Sequence, residues 1–298
     1  MRSATRRGRR GRRGRRDIVG GIDVRHRHLS GRYDSSEEAV YADLKAATTS
    51  GRWDLISLTE VAAPPHQGAL RRAAADFGWE LFQVPGPGVA ECAFLLDPKV
   101  GATKVYFESL PVTEQTFYTG TGKHKVPIHV PTLVLEFEGV RAMFAAAHMP
   151  SHVEVAGVPH PAGPTNRVRA YYSVLLGWRR QANRLRRRYR IAARNTVLVA
   201  DWNLDFSKRW VSRFLADTWP QLYSTWRRFS GPGTHGRRFI DSTLTRARVV
   251  VPAHVLAEDD SASDHTAYGE VLRVFTRTMR RGWSHRQQPL DDQGPGLR

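Results

Sequence analysis

Short, almost wholly apolar runs that stop abruptly on an ionisable residue or an amide set the terms for this chain. Val197–Ala200 in NTVLVADWNLDF runs into Asp201 and Asn203, the apolar stretch of DLISLTEV ends at Glu60, and that of RAMFAAAH ends at His148. Runs of this length suit strands buried on both faces, as in a sheet covered on both sides. An Asp-x-Asn after a strand also closes ordinary turns, so one such ending says little. Its recurrence along the chain says more.

The remaining segments fit between these strands. DIVGGIDVRH reads as a first strand ending near Asp23, and Ser35 with Glu38 forms a capping box that opens a helix to about Ala47. A helix follows around GALRRAAADF, then strands in WELFQV and ECAFLLD. TLVLEFEG and RAMFAAAH form consecutive strands with Gly139 in the turn. A Pro- and Gly-rich loop, Met149 to Asn166, leads into the longest helix, where Val168, Tyr171, Leu175, Trp178, Ala182, Leu185 and Tyr189 recur every three or four residues. Its other faces hold Arg179, Arg180, Arg184, Arg186, Arg187, Arg188 and Arg190, which suit a solvated face or a phosphate-binding ridge. A helix near KRWVSRFLADTW, a strand pair in RRFIDSTLTRARVVV and a last strand in HTAYGEVLRVF complete the domain. Strands and helices mix without a strict βαβ rhythm and without repeats. One α/β domain over residues 17–275, with mixed sheets covered by helices, is therefore expected, followed by a loose tail at 276–298.

The charge balance points to a partner. Lys and Arg number 46 against 28 acids, for a net +18, and nine of the arginines fall in residues 1–16, which hold no acid. That Arg/Gly segment has almost nothing to pack and is expected to be disordered, free to neutralise polyphosphate and release counterions. Nucleic acid is the partner that this charge favours, ahead of an acidic protein or a membrane surface. The lone Cys92 excludes a disulfide framework and a cysteine-rich metal site. No apolar run reaches 18 residues, and no apolar stretch follows the basic N-terminus. A cytoplasmic, soluble monomer without membrane insertion is expected.

Collected in chain order, the polar residues at strand ends are Asp23, Glu60, Glu91, His148, Asp201 with Asn203, Asp241, and Asp264 with His265. Burying so many ionisable groups is costly unless they pair or bind a cation. Carboxylates for a hard cation, two histidines and further acids to orient them suit phosphate-ester cleavage with Mg²⁺.

The order Glu60, His148, ADWN, FIDSTL and SDH resembles the endonuclease/exonuclease/phosphatase superfamily, the deoxyribonuclease-I-like group. The family's Gly-Asp-x-Asn stands here as Ala200-Asp201-Trp202-Asn203. Its Ile-Asp motif is Ile240-Asp241, preceded by an Arg-rich turn and Thr225-Trp226, and its Ser-Asp-His motif is Ser263-Asp264-His265. The likeness spans roughly Asp17 to Phe275. In two places the chain departs from the pattern: the family's first strand ends in Asn where this chain offers Asp23, and the Gln before the metal-binding Glu is Thr59.

The resemblance implies a four-layered α/β sandwich, two mixed β-sheets face to face flanked by helices, with the site where strand ends converge. It implies Mg²⁺ (or Mn²⁺) on Glu60 and Asp264, with Asp23 reaching the metal through water. Asp241 would orient His265, and Asp201 and His265 would position and deprotonate the attacking water. Asn203 would donate to the phosphate, with His148, paired with Glu91, polarising it from the other side. The activity implied is hydrolysis of phosphodiesters, and the basic tail and Arg-rich helix favour DNA or RNA as the substrate. A phosphatase or lipid phosphodiesterase of the same fold, or a non-catalytic nucleic-acid binder, are the alternatives.

Overall fold

The apolar runs are strands buried on both faces. The computed structural model describes residues 21–30, 35–84, 91–109, 111–119, 122–151, 163–220, 222–227, 229, 232–256 and 263–275. The basic segment 1–16 and the tail 276–298 lie outside the described residues, and the expectations for both lie there with them. In chain order the elements are β1 (Gly21–Ser30), α1 (Glu37–Thr49), β2 (Leu55–Thr59), α2 (Pro64–Phe77), β3 (Glu80–Gln83), β4 (Cys92–Leu96), β5 (Lys104–Glu108), β6 (Pro111–Thr119), β7 (Gly122–His129), β8 (Thr132–Phe137) and β9 (Val140–His148). They continue as α3 (Gly163–Arg188), β10 (Thr196–Asp201), α4 (Arg209–Thr218), β11 (Tyr223–Ser224), β12 (Asp241–Thr245), β13 (Arg248–Val255) and β14 (Tyr268–Phe275).

Two mixed sheets face each other, in strand order β13-β14-β1-β2-β4-β3 and β11-β12-β10-β9-β8-β5, with β6 and β7 forming a separate hairpin. The period of two along each strand sorts side chains between layers. Cys92, Phe94 and Leu96 of β4 meet Phe144, Ala146, Val197 and Val199 of the other sheet in a core between the sheets. The alternate residues Ala93 and Leu95 turn outward onto α1 and α2 through Leu44, Ala69, Leu70 and Ala73. On the opposite outer face, Met143, Ala145, Leu198 and Ala200 pack against Tyr171, Val174, Leu175, Trp178 and Leu185 of α3 and Val211 of α4. The result is helix, sheet, sheet, helix: the four-layered sandwich that the sequence implies.

Local chemistry sets the helix ends. Ser36, one residue after the expected cap, accepts the Ala39 N–H at 3.2 Å and starts α1, with Glu37 and Glu38 in the first turn where the helix dipole favours anions. Pro64 and Pro65 open α2, and Gly78 at φ 69° closes it. The helical stripe of α3 is buried from Tyr171 onward, whereas Val168, expected in the stripe, is exposed.

The first strand departs most from expectation. It begins at Gly21 and runs to Ser30, so Asp23 lies near its start and not at its end. The expected strand broke off early because the inward positions of the true one are His26, His28 and Ser30, which read as polar. All three are buried. Between Lys104 and His129 the sequence reading assigned nothing, and β5, β6 and β7 lie there.

Register brings the chemistry to one edge of the sandwich. In one sheet Ser30, Thr59 and Cys92 stand abreast on β1, β2 and β4. In the other, His148, Asp201 and Asp241 stand abreast on β9, β10 and β12.

Candidate active site

Each strand end contributes one group. The chain leaves β2 at Glu60 with φ 57° and leaves β10 at Asn203 with φ 51°, both in the left-handed region that side-chain-bearing residues rarely adopt. Such backbone persists where surrounding structure holds it, and it clusters at functional sites. Around Asn203 the supports are visible. Trp202 is wholly buried against Trp178, its Nε1–H donates to the Ser242 carbonyl at 2.9 Å, and the Tyr171 hydroxyl donates to the Trp202 carbonyl at 2.9 Å.

Asp201 commits one carboxylate oxygen to the turn and leaves the other unpartnered. Its Oδ1 accepts the Asn203 N–H at 2.9 Å and closes the turn. Its Oδ2 is buried with no hydrogen-bond partner and lies 3.7 Å from His148 Nε2. The Asn203 side-chain amide donates one N–H to the Met149 carbonyl at 2.8 Å, and its second N–H is left to give.

His148 sits between two carboxylates, its Nε2 3.1 Å from Glu60 and its Nδ1 3.4 Å from Glu91. Burial works against its charge, but Glu60 and Glu91, with Asp201 behind, lift its pKa well above the ordinary imidazole value. In return His148 holds Glu60 below the usual carboxylate range despite burial. On the other side, the Asp241 Oδ2 meets His265 Nδ1 at 2.8 Å. Burial disfavours both charges, yet each partner outweighs it for the other: Asp241 falls well below the carboxylate range and His265 rises to about 10. Asp201, buried and facing Asp241, is pushed up to about 7.

Behind Asp241 runs a polar chain that the sequence reading missed. Its Oδ1 lies 3.3 Å from His28 Nε2, and the Ser57 hydroxyl links His28 Nδ1 at 2.9 Å to His26 Nε2 at 2.8 Å. His26 Nδ1 ends the chain on Glu270 at 2.8 Å, and Thr243 donates to the same Glu270 oxygen at 2.6 Å. All of these groups are buried between the sheets. A buried network of this kind fixes ring orientations, because each broken link leaves a desolvated polar group. The signal for it was the alternation His26, His28, Ser30 in β1, which has the period of a strand with a polar inner face.

Of the nine residues expected at the site, Glu60, Glu91, His148, Asp201, Asn203, Asp241 and His265 lie within this cluster, linked by the contacts above. Asp23 does not join it. It pairs with Arg273 at 2.6 Å and 2.7 Å, five residues before His28, a separation of about 17 Å along an extended strand. His28 is the β1 residue that reaches the site. Asp264 lies beside His235 at 3.9 Å. Three groups among the described residues keep their ligand atoms within 4.8 Å of one another: Glu60 with His148 and Asp201, Asp201 with Asp241 and His265, and His235 with Asp264 and His265. Glu60 and Asp264 share none of them.

The position of Asp23 gives a first prediction. Asp23→Asn should leave the dependence of any hydrolysis on Mg²⁺ concentration unchanged, because the carboxylate faces Arg273 and is too distant for a screened charge to act on a cation. A shifted metal curve would show that Asp23 reaches the site after all.

The Arg-rich face of α3 begins near the site and runs away from it. Tyr171, near the helix start, touches the Asp201 turn, but Arg188 pairs with Glu108 at 2.9 Å, about 26 Å further along the axis. Arg188, at the end of that face, therefore lies far from the Asp201 turn.

No protein-family model matches the chain, and no curated protein matches it by sequence. Solved structures do match in shape. An endonuclease/exonuclease/phosphatase family protein from Bacteroides thetaiotaomicron superposes with a TM-score of 0.55 at 14% identity, over 85% of this chain and 98% of its own. Sphingomyelinase C from Streptomyces griseocarneus gives 0.52 at 16%, over 84% and 99%. TDP2 from D. rerio, in complex with a single-stranded DNA product, gives 0.51 at 13%, over 84% and 98%. At such identities the likeness establishes the fold.

Proposed function

We propose that this chain, which has the endonuclease/exonuclease/phosphatase fold, is a divalent-metal-dependent hydrolase of phosphodiesters acting on nucleic acid. The observation that supports the reading most is the orphaned Oδ2 of Asp201, buried in a group with Glu60 and His148. A desolvated carboxylate oxygen without a donor is costly, and an oxygen-seeking cation relieves that cost. Glu60 and Asp201 are the residues that would hold the cation. When bound, Mg²⁺ or Mn²⁺ supplies neutralisation of charge on the phosphate and the leaving oxygen.

The chain's own groups do the rest. Asp241 fixes the His265 ring through Nδ1, leaving Nε2 toward the reacting phosphate. Asp201 and His265 border the same space and position the attacking water, which loses its proton there. His148, held between Glu60 and Glu91, faces the phosphate as a donor, and the second amide N–H of Asn203 adds another.

Nucleic acid is favoured as substrate by the net +18 and by the nine arginines of residues 1–16. A phosphatase or lipid phosphodiesterase is the second reading, since the same shape serves a sphingomyelinase C. Among the described residues no helix is long and apolar enough to cross a membrane. The test offers the purified protein supercoiled plasmid and RNA with Mg²⁺ or with EDTA. Nicking or degradation that EDTA abolishes is expected, whereas tight binding without cleavage would leave a binder with lapsed chemistry.

The basic segment gives a separate prediction. Deleting residues 2–16 should flatten the salt dependence of binding by about 0.9 in log–log slope for each phosphate neutralised, and leave hydrolysis of a small diester unchanged. Fluorescence anisotropy between roughly 50 and 200 mM salt reads the slope. An unchanged slope would count against nucleic acid as the partner and in favour of a small headgroup.

A further inference from the structure

One histidine at the edge of the site has no part in the proposed hydrolysis. His235 lies in a tight turn where Gly233 N–H donates to the Gly236 carbonyl at 2.9 Å and where His235 and Arg238 exchange backbone hydrogen bonds at 3.1 Å and 3.0 Å. Gly236 takes φ 60°, and a Cβ on Gly233 would stand 2.2 Å from the Arg238 carbonyl oxygen, so both glycines are required. Thr234 ties the turn to the site. Its hydroxyl accepts the N–H groups of Ile240 and Asp241 at 3.1 Å and 3.0 Å, and its carbonyl accepts that of Thr266 at 2.6 Å. The turn is thereby fixed to the neighbours of both Asp241 and His265.

What it delivers is a second imidazole. The His235 ring stands edge-on to His265 with centroids 4.8 Å apart, and its Nε2 lies 3.9 Å from Asp264 Oδ2. That distance is too long for a hydrogen bond and close to the roughly 3.4 Å that separates two ligand atoms on a tetrahedral zinc ion. One ligand atom from each of His235, Asp264 and His265 falls within 4.8 Å of the others. Asp241 already occupies His265 Nδ1, which leaves Nε2 as the coordinating nitrogen and gives the carboxylate–histidine–metal order that fixes tautomer and ring.

We propose that His235, Asp264 and His265 form a binding site for a transition-metal dication, Zn²⁺ in the first place, separate from the carboxylate position at Glu60. Two imidazoles and one carboxylate suit Zn²⁺, whereas Mg²⁺ selects oxygen ligands and dehydrates reluctantly. The inference goes beyond the hydrolase reading: Zn²⁺ held there takes up the His265 Nε2 that hydrolysis uses, so the two states exclude each other, and the test of the site needs no substrate.

Isothermal titration of the full chain with Zn²⁺, in millimolar Mg²⁺, should show one equivalent bound that Mg²⁺ does not displace. H235A and D264N should each weaken it by at least about tenfold, while E60Q leaves it unchanged. Titration with Co²⁺ should give visible absorption from nitrogen ligation in the wild type, lost in H235A. D264N alters a half-exposed side chain and carries the same test should H235A fail to fold by circular dichroism. If both variants bind Zn²⁺ as the wild type does, or Mg²⁺ displaces the Zn²⁺, the site is not there. Failure of the hydrolase reading would appear elsewhere, as absence of turnover with Mg²⁺, and would leave this titration untouched.

Discussion

Asp201→Asn is expected to lower phosphodiester hydrolysis by roughly 10²–10⁴-fold, the range that one positioned proton-transfer or charge-stabilising group supplies. The same substitution is expected to raise the melting temperature in EDTA at neutral pH. The sign follows from the burial of Asp201. Its carboxyl is lifted to about 7 in the folded chain, so the folded state keeps a proton that the unfolded chain loses from about pH 4 upward. Between those values stability falls as pH rises, and above about 7 the folded state bears a buried, repelled charge. An amide removes that charge. Activity assays and thermal melts together separate the two effects, and a variant with near-normal turnover and clean folding would remove Asp201 from the chemistry.

Asp241→Ala is expected to cost both stability and activity, because Asp241 is the joint of the buried network. Its oxygens hold His265 at 2.8 Å and His28 at 3.3 Å, and Ser57, His26 and Glu270 stand behind His28. Removing one partner of a buried charge pair costs about 3–5 kcal/mol, since the other is left uncompensated. The loss should also change with pH in a defined way. His265, raised to about 10, contributes stability in full below its unfolded value near 6.5, and that stability is lost as pH rises through about 10. Asp241, depressed, contributes above its unfolded value near 3.8, and that contribution is lost as pH falls through its lower folded value. The deficit of the alanine variant should therefore be largest between about pH 4 and 6.5 and shrink in strong alkali. Urea titrations at pH 5 and pH 10 measure it, and equal deficits at both would mean that the pair does not titrate as described.

Much of the architecture was legible because buried strands leave short apolar runs. Val197–Ala200 and Ala142–Ala147 had to be covered on both faces, and they are. The ends of those runs named Glu60, His148, Asp201 and Asp241, and register sets the last three abreast. What was not legible is β1. Its inward residues are polar, and the groups that satisfy them sit 29 to 244 positions away in Ser57 and Glu270. Hydrophobic alternation cannot report a strand whose buried face is held by distant hydrogen bonds, so the pattern ends the strand early and places Asp23 at its end. His235 was missed for a different reason. A turn declares its glycines, but it does not declare which neighbour its histidine will meet.

The strand ends gathered around Glu60 and Asp201 are expected to hydrolyse phosphodiesters with a divalent cation. Hydrolysis of bis(p-nitrophenyl) phosphate across a Mg²⁺ titration, by the wild type and by Glu60→Gln, tests it most directly. The expected result is turnover that saturates with Mg²⁺, vanishes in EDTA, and in the glutamine variant falls by at least about 10²-fold or needs far more metal. Turnover that is indifferent to EDTA, or equal in the two proteins at every Mg²⁺ concentration, would contradict it.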